Sequence, residues 1–194
     1  APVMTDALLA RVCDEIIEPT LAGMRSEGCP YKGILYVGLM ITEEGPKVVE
    51  YNCRLGDPET QVVLPLVASD LVEVLMSLAE GGLDEVELKQ HPGAAACVVM
   101  ASAGYPGSYE KGFPITGLDG AVSSDEVLVF QAGTRRDNEG QLVTNGGRVL
   151  AVAARGVDLA TALDSAYEAI ARIDFEGVQY RRDIGQKGLA RLQN

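Results

Sequence analysis

The sequence predicts an α+β chain in two parts joined by a connection. Apolar residues at helical spacing open the chain, and a strand–turn–strand pattern follows. After Gly81-Gly82 the texture changes to short strands closed by a capped helix. The expected division is a first part over 1–80, a linker over 81–93 and a second part over 94–194.

Thr5 is a plausible N-cap, with Leu8, Val12 and Ile16 following at spacing four, so a helix starts there, and Pro19 should kink or end it. Ile34 to Ile41 is an apolar run of strand length. Glu43-Glu44-Gly45-Pro46 reads as a turn and Lys47 to Cys53 as a second strand, so the pair forms a hairpin. Pro58 suits a first helical position with Asp57 as its cap, and Pro65 interrupts the apolar run behind it. Asp70 and Glu73 open a helical piece that stops at Gly81-Gly82. In the second part, Ala95 to Ser102, Val127 to Ala132 and Arg148 to Ala154 read as strands. Leu142 to Thr144 is short and extended, and Asn145-Gly146 signals a hairpin turn. Asp158 caps a last helix carrying Leu159, Ala162, Leu163, Ala166, Tyr167 and Ile170.

Composition excludes several functions. A net charge of −12 repels phosphate backbones, so binding of nucleic acid through global charge is not expected. No apolar run approaches the roughly 18 residues of a membrane span, and the start lacks the basic end and apolar run of a leader. Cys13, Cys29, Cys53 and Cys97 are scattered, without a CxxC pair, and read as reduced cytosolic thiols. His91 is the only histidine and sits in the linker, so neither a zinc site nor His-dependent nucleophilic catalysis is expected.

Chemistry concentrates in Glu50-Tyr51-Asn52-Cys53-Arg54-Leu55-Gly56-Asp57-Pro58-Glu59-Thr60-Gln61. Residues two apart on a strand share a face, so Glu50 and Asn52 project together. A carboxylate beside an amide oxygen offers hard ligands for Mg²⁺, which keeps phosphate oxygens and water in its other positions. Arg54 follows as a planar cation for a carboxylate or phosphoryl oxygen. Asp57, Glu59 and Thr60 lie at an expected helix start, where free N–H groups favour anions. The competing reading is a solvated strand face and an ordinary cap. Asn145-Gly146-Gly147-Arg148 reads first as a turn, and second as a backbone cradle for phosphate with Arg148 beside it. Residues 180–194 hold Arg181, Arg182, Lys187 and Arg191 against Asp183, a basic segment on an acidic chain that is either solvated or turned toward a phosphorylated substrate.

The run Tyr31-Lys32-Gly33-Ile34-Leu35-Tyr36-Val37-Gly38-Leu39-Met40, then Glu50 through Gln61, resembles the phosphoribosylamine–glycine ligases (glycinamide ribonucleotide synthetases) of the ATP-grasp group. Gly104-Tyr105-Pro106-Gly107, Ala132-Gly133-Thr134, Thr144 through Leu150 and Arg182-Asp183-Ile184-Gly185 match in the same order, as does the opening Ala1-Pro2-Val3. The resemblance covers essentially the whole chain. It implies the C-terminal part of an ATP-grasp domain followed by a small mixed β-sheet C-terminal domain. It also implies a cytoplasmic step of purine synthesis with ATP, glycine and 5-phosphoribosylamine as substrates and Mg²⁺ or Mn²⁺ as cofactor. By motif position Glu50 and Asn52 become the metal ligands and Arg54 the catalytic cation. Asp57, Glu59, Thr60, Asn145, Gly146, Gly147 and Arg148 become substrate contacts. Many ATP-grasp enzymes carry another acidic ligand on the preceding strand, where this chain has Gly38. The family is more than twice this long, so the expected partner is the N-terminal portion of the same enzyme. The alternative is a non-catalytic truncated module or a partner-binding remnant.

Overall fold

The computed structural model describes residues 2–122 and 124–192. Ala1 of the opening motif, Ser123, and Gln193 and Asn194 of the basic segment lie outside the described residues. The chain forms two compact units. One comprises Ala1–Gly56, Ser69–Lys89 and Ala190–Asn194; the other comprises Asp57–Ala68 and Gln90–Leu189.

In the first unit, α1 (Asp6–Val12) starts where the Thr5 hydroxyl oxygen accepts from the Leu8 N–H at 3.2 Å. Pro19 does not end the helix. The chain widens into a π turn at Cys13–Ile17 and continues as α2 (Glu18–Ser26). The wider turn lets the Glu18 N–H reach the Cys13 carbonyl, and Pro19 falls at the start of a fresh α segment, where its missing N–H costs little. The hairpin is present as β1 (Tyr36–Thr42) and β2 (Gly45–Asn52), paired antiparallel. Its turn is tighter than expected: Gly45 and Pro46 already pair with Thr42 and Ile41, leaving Glu43-Glu44 as the loop.

The chain then enters the second unit for one segment, which carries α3 (Thr60–Val63) and a 3-10 turn at Leu64–Leu66 holding Pro65. The expected cap at Asp57 with Pro58 as first helical residue is corrected. The helix begins at Thr60, the Asp57–Pro58 peptide is cis, and the Asp57 carboxylate is engaged elsewhere. Back in the first unit, α4 (Leu71–Glu80) is capped by Asp70, whose carboxylate accepts from the Val72 N–H at 2.8 Å. It ends where Gly81 takes a left-handed φ of 91°. Val12, Ile16 and Pro46 are buried in this unit, whereas Val49 and Val72 are 66% and 64% exposed.

The second unit is built on β3 (Ala94–Ala101). After it come α5 (Leu118–Ala121), β4 (Val127–Gln131), β5 (Thr134–Arg136), β6 (Leu142–Thr144), β7 (Arg148–Gly156), α6 (Leu159–Ile170) and α7 (Gln186–Leu192), which runs past the end of this unit at Leu189. The fold class is α+β as expected, and the mixed sheet resolves as antiparallel at each pairing: β3-β7-β4, with β5-β6 apart from it. β7 is the central strand. α6 packs on β3 and β7, and α3 also contacts both, so residues 149–154 are buried without interruption. Val98, Met100, Leu150, Val152, Ile170 and Phe175 belong to the core.

Asn145-Gly146 is not a hairpin turn. β6 pairs with β5 and β7 pairs with β3 and β4, so the dipeptide links two sheets. A two-residue type I′ turn needs positive φ at both central residues, and neither residue has it. The Asn145 N–H instead donates to the Gly133 carbonyl at 2.7 Å. α6 is not the last helix, because the short α7 follows in the basic segment. No helix among the described residues is long and apolar enough to cross a membrane.

Candidate functional site

The sequence-predicted residues divide between the two units. Glu50, Asn52 and Arg54 lie in the first; Asp57, Glu59, Thr60, Asn145, Gly146, Gly147 and Arg148 lie in the second.

On β2 the strand period places Glu50 and Asn52 on one face, and their side chains touch: Asn52 Nδ2 donates to Glu50 Oε1 at 3.0 Å. Glu50 pairs with Gly38 of β1. A Cβ on Gly38 would lie 3.2 Å from Glu50 Cγ, so the glycine leaves the volume that the glutamate side chain uses. Arg54 is exposed and folds back, Nη1 donating to the Leu55 carbonyl at 3.0 Å. Tyr31 joins this region, donating its hydroxyl proton to the Ile34 carbonyl at 2.7 Å. Burial first, and a hydrogen bond with Cys53 second, raise its phenol pKa. Among the described residues no group of three or more His, Cys, Asp or Glu side chains gathers to hold a metal ion. Glu50 and Asn52 place one carboxylate and one amide oxygen side by side, a donor set that would fit Mg²⁺ bound mainly through phosphates and water.

In the second unit Arg148 takes Asp57. Nη2 lies 2.8 Å from Asp57 Oδ2, and Nη1 donates to the Asp57 carbonyl at 3.0 Å. Gln61 Nε2 donates to Asp57 Oδ1 at 3.0 Å, while Gln61 Oε1 is buried with no hydrogen-bond partner. The Asn145–Gly147 loop is pinned by its own backbone. Ser102 Oγ donates to the Gly146 carbonyl and the Ser102 N–H to the Gly147 carbonyl, each at 2.8 Å. Pro58, Cys97, Tyr105, Arg148, Tyr180 and Arg181 help to line a cavity of about 450 Å³ in this unit. Burial pushes the Cys97 thiol up to about 11, with the Asp57 carboxylate adding to the shift. Arg181 is paired with Asp183 at 2.7 Å, which lowers the Asp183 carboxyl pKa.

Sequence reasoning missed Ser102 and Gln61. The spacing of four between Asp57 and Gln61 was a usable signal. Ser102, buried at 3% exposure, left none beyond being a polar end to an apolar strand.

Residues 1–60 match the family model described as phosphoribosylglycinamide synthetase, ATP-grasp (A) domain, and residues 95–187 match that of the C domain of the same synthetase. The chain belongs to the phosphoribosylglycinamide synthetase family. A phosphoribosylamine–glycine ligase of Chlorobaculum tepidum is 57% identical over 190 residues, covering 97% of this chain and 44% of its own length. A trifunctional purine biosynthetic protein adenosine-3 of Homo sapiens is 50% identical over 196 residues, which is 19% of its length. The crystal structure of the Thermotoga maritima phosphoribosylamine–glycine ligase superposes with a TM-score of 0.80 at 40% identity, covering 94% of this chain and 44% of that one. The chain thus spans less than half the length of these synthetase relatives. The A-domain match contains Glu50, Asn52, Arg54, Asp57, Glu59 and Thr60, and the C-domain match contains Asn145 to Arg148.

Proposed function

We propose that this chain is the C-terminal portion of a cytoplasmic ligase that joins glycine to 5-phosphoribosylamine at the expense of ATP. The carboxylate of glycine attacks the γ-phosphorus of ATP, giving glycyl phosphate and ADP. The amine of phosphoribosylamine then attacks the acyl carbon, and phosphate leaves as the amide forms. Glu50 and Asn52 hold Mg²⁺ or Mn²⁺, which when bound offsets the charge of the nucleotide phosphates. Arg54 swings from its backbone contact toward the acyl phosphate and stabilises the charge that develops on it. Asp57, Glu59 and Thr60 orient the substrates, and the pinned Asn145–Gly147 loop presents backbone to the phosphorylated one. The observation that carries this reading is the contact between Glu50 and Asn52 on β2, inside the region matching the A domain.

The test is Glu50→Gln in an enzyme of full family length carrying this chain. Glycine-dependent ADP release is expected to fall on the order of a hundredfold or more with the fold intact. Turnover at the wild-type rate would sink the metal assignment.

A second reading, a module that is inert by itself, is favoured by the surface of the first unit. Met40, Val49, Val72 and Met76 are each more than half exposed there, while among the described residues the buried apolar side chains of this unit are few, Val12, Ile16 and Pro46. Such a surface fits the portion that precedes this one in the relatives. Dye binding and light scattering on the chain alone should report exposed apolar area that disappears on adding that portion. A monomer with no dye response would count against it.

A further inference from the structure

We infer that Arg148 is a positioning residue that acts through Asp57, and that with Arg155 it straps the 57–68 segment to the C-terminal sheet. The segment follows directly in sequence on the strand of Glu50 and Asn52, yet it packs in the second unit. Arg148 and Arg155 stand near opposite ends of β7, seven residues apart, a spacing that would normally put them on opposite faces. The register of β7 against β3 shifts between Met100 and Ala101, which pair with Leu150 and Arg148, so Val149 is an extra residue in β7. That bulge turns both arginines to the side of the same segment. Arg148 holds its beginning through the Asp57 carbonyl and carboxylate. Arg155 Nη1 reaches its far part, donating to the Pro65 carbonyl at 3.3 Å, while its Nε lies 2.8 Å from Glu126 Oε2. The His91 N–H donates to the Leu66 carbonyl at 2.8 Å and completes the strap.

The Arg148 guanidinium bonds Asp57 through both its carbonyl and its carboxylate, which makes it the anchor of the Asp57–Thr60 corner rather than the phosphate contact that the turn-like motif suggests. A lysine cannot replace it, since one ammonium lacks the planar fork that meets carbonyl and carboxylate together. The claim rests on the proposed function only in giving Asp57, Glu59 and Thr60 a substrate role. The strap itself is testable without activity.

The experiment uses the ¹⁵N-labelled 194-residue chain. The guanidinium N–H signals of Arg148 should be slowed in rotation and exchange, should collapse in Asp57→Asn, and should not move on adding ribose 5-phosphate. Amide exchange at Thr60 to Val63 should speed up about threefold to tenfold in Arg148→Ala. Arg148→Lys should not restore it, and Arg148→Ala/Asp57→Asn should add nothing further. Arg148 signals that shift with ribose 5-phosphate but ignore Asp57→Asn would overturn the inference, as would fully additive effects in the double variant. Rescue by lysine would overturn the role given to the fork.

Discussion

Glu50 faces Gly38 across the hairpin, and a single methyl group on Gly38 would press on the glutamate side chain at 3.2 Å. The missing Cβ and the lone strand carboxylate are therefore one feature: the space on β1 is already taken by the side chain on β2. Gly38→Ala should leave the hairpin paired, because Glu50 is exposed and can yield. It should tilt the carboxylate off Asn52 and weaken Mn²⁺ binding to the nucleotide complex by about threefold to tenfold. Electron paramagnetic titration of Mn²⁺ against both forms checks it, and unchanged affinity would separate Gly38 from the proposed metal donors.

Gly133→Ala should cost stability, because it crowds the Asn145–Gly147 loop. Its Cβ would lie 2.6 Å from Gly146 Cα and 2.5 Å from the Arg148 carbonyl oxygen, both backbone. Relief requires the Asn145–Gly147 crossing to move, at about 1–3 kcal/mol. Thermal unfolding followed by circular dichroism should show the loss. A neutral result would mean that the two backbones do not approach as described.

Cys97 should be the slow thiol. Its pKa is raised to about 11 by burial, so at pH 8 its thiolate fraction is far below that of an ordinary cysteine, whereas Cys29 and Cys53 are exposed. Iodoacetamide labelling read by mass spectrometry should modify Cys29 and Cys53 first and Cys97 last. The sign for stability follows. The folded pKa lies above the unfolded one, so this group's contribution is complete below about pH 9 and is lost as pH rises from 9 toward 11. Cys97→Ala should flatten stability across that window, and an unchanged profile would contradict the assigned shift.

Much of the fold is legible in local chemistry. Thr5, Asp70 and Asp158 each cap the helix expected of them, because a short polar side chain before an apolar helical run has few other uses. The hairpin is legible from an apolar run of strand length, a polar turn and a second run of strand length. What fails does so where long-range contacts override a local signal. Asn145-Gly146 has the composition of a hairpin turn, but β7 is captured by β3 and β4 and β6 by β5, so the dipeptide becomes a crossing. Asp57-Pro58 looks like a cap until Arg148, 91 residues away, claims the carboxylate. Glu50 and Asn52 were readable as a pair from spacing two, whereas their chemistry came from the longer motif around them.

The most direct measurement is ADP release from Mg-ATP with glycine and phosphoribosylamine. It should be made with this chain alone and with the chain mixed with the separately produced portion that precedes it in a synthetase relative. The account predicts no turnover by the chain alone and glycine-dependent turnover in the mixture, abolished by Glu50→Gln. A folded chain that binds its complement yet stays silent would contradict it.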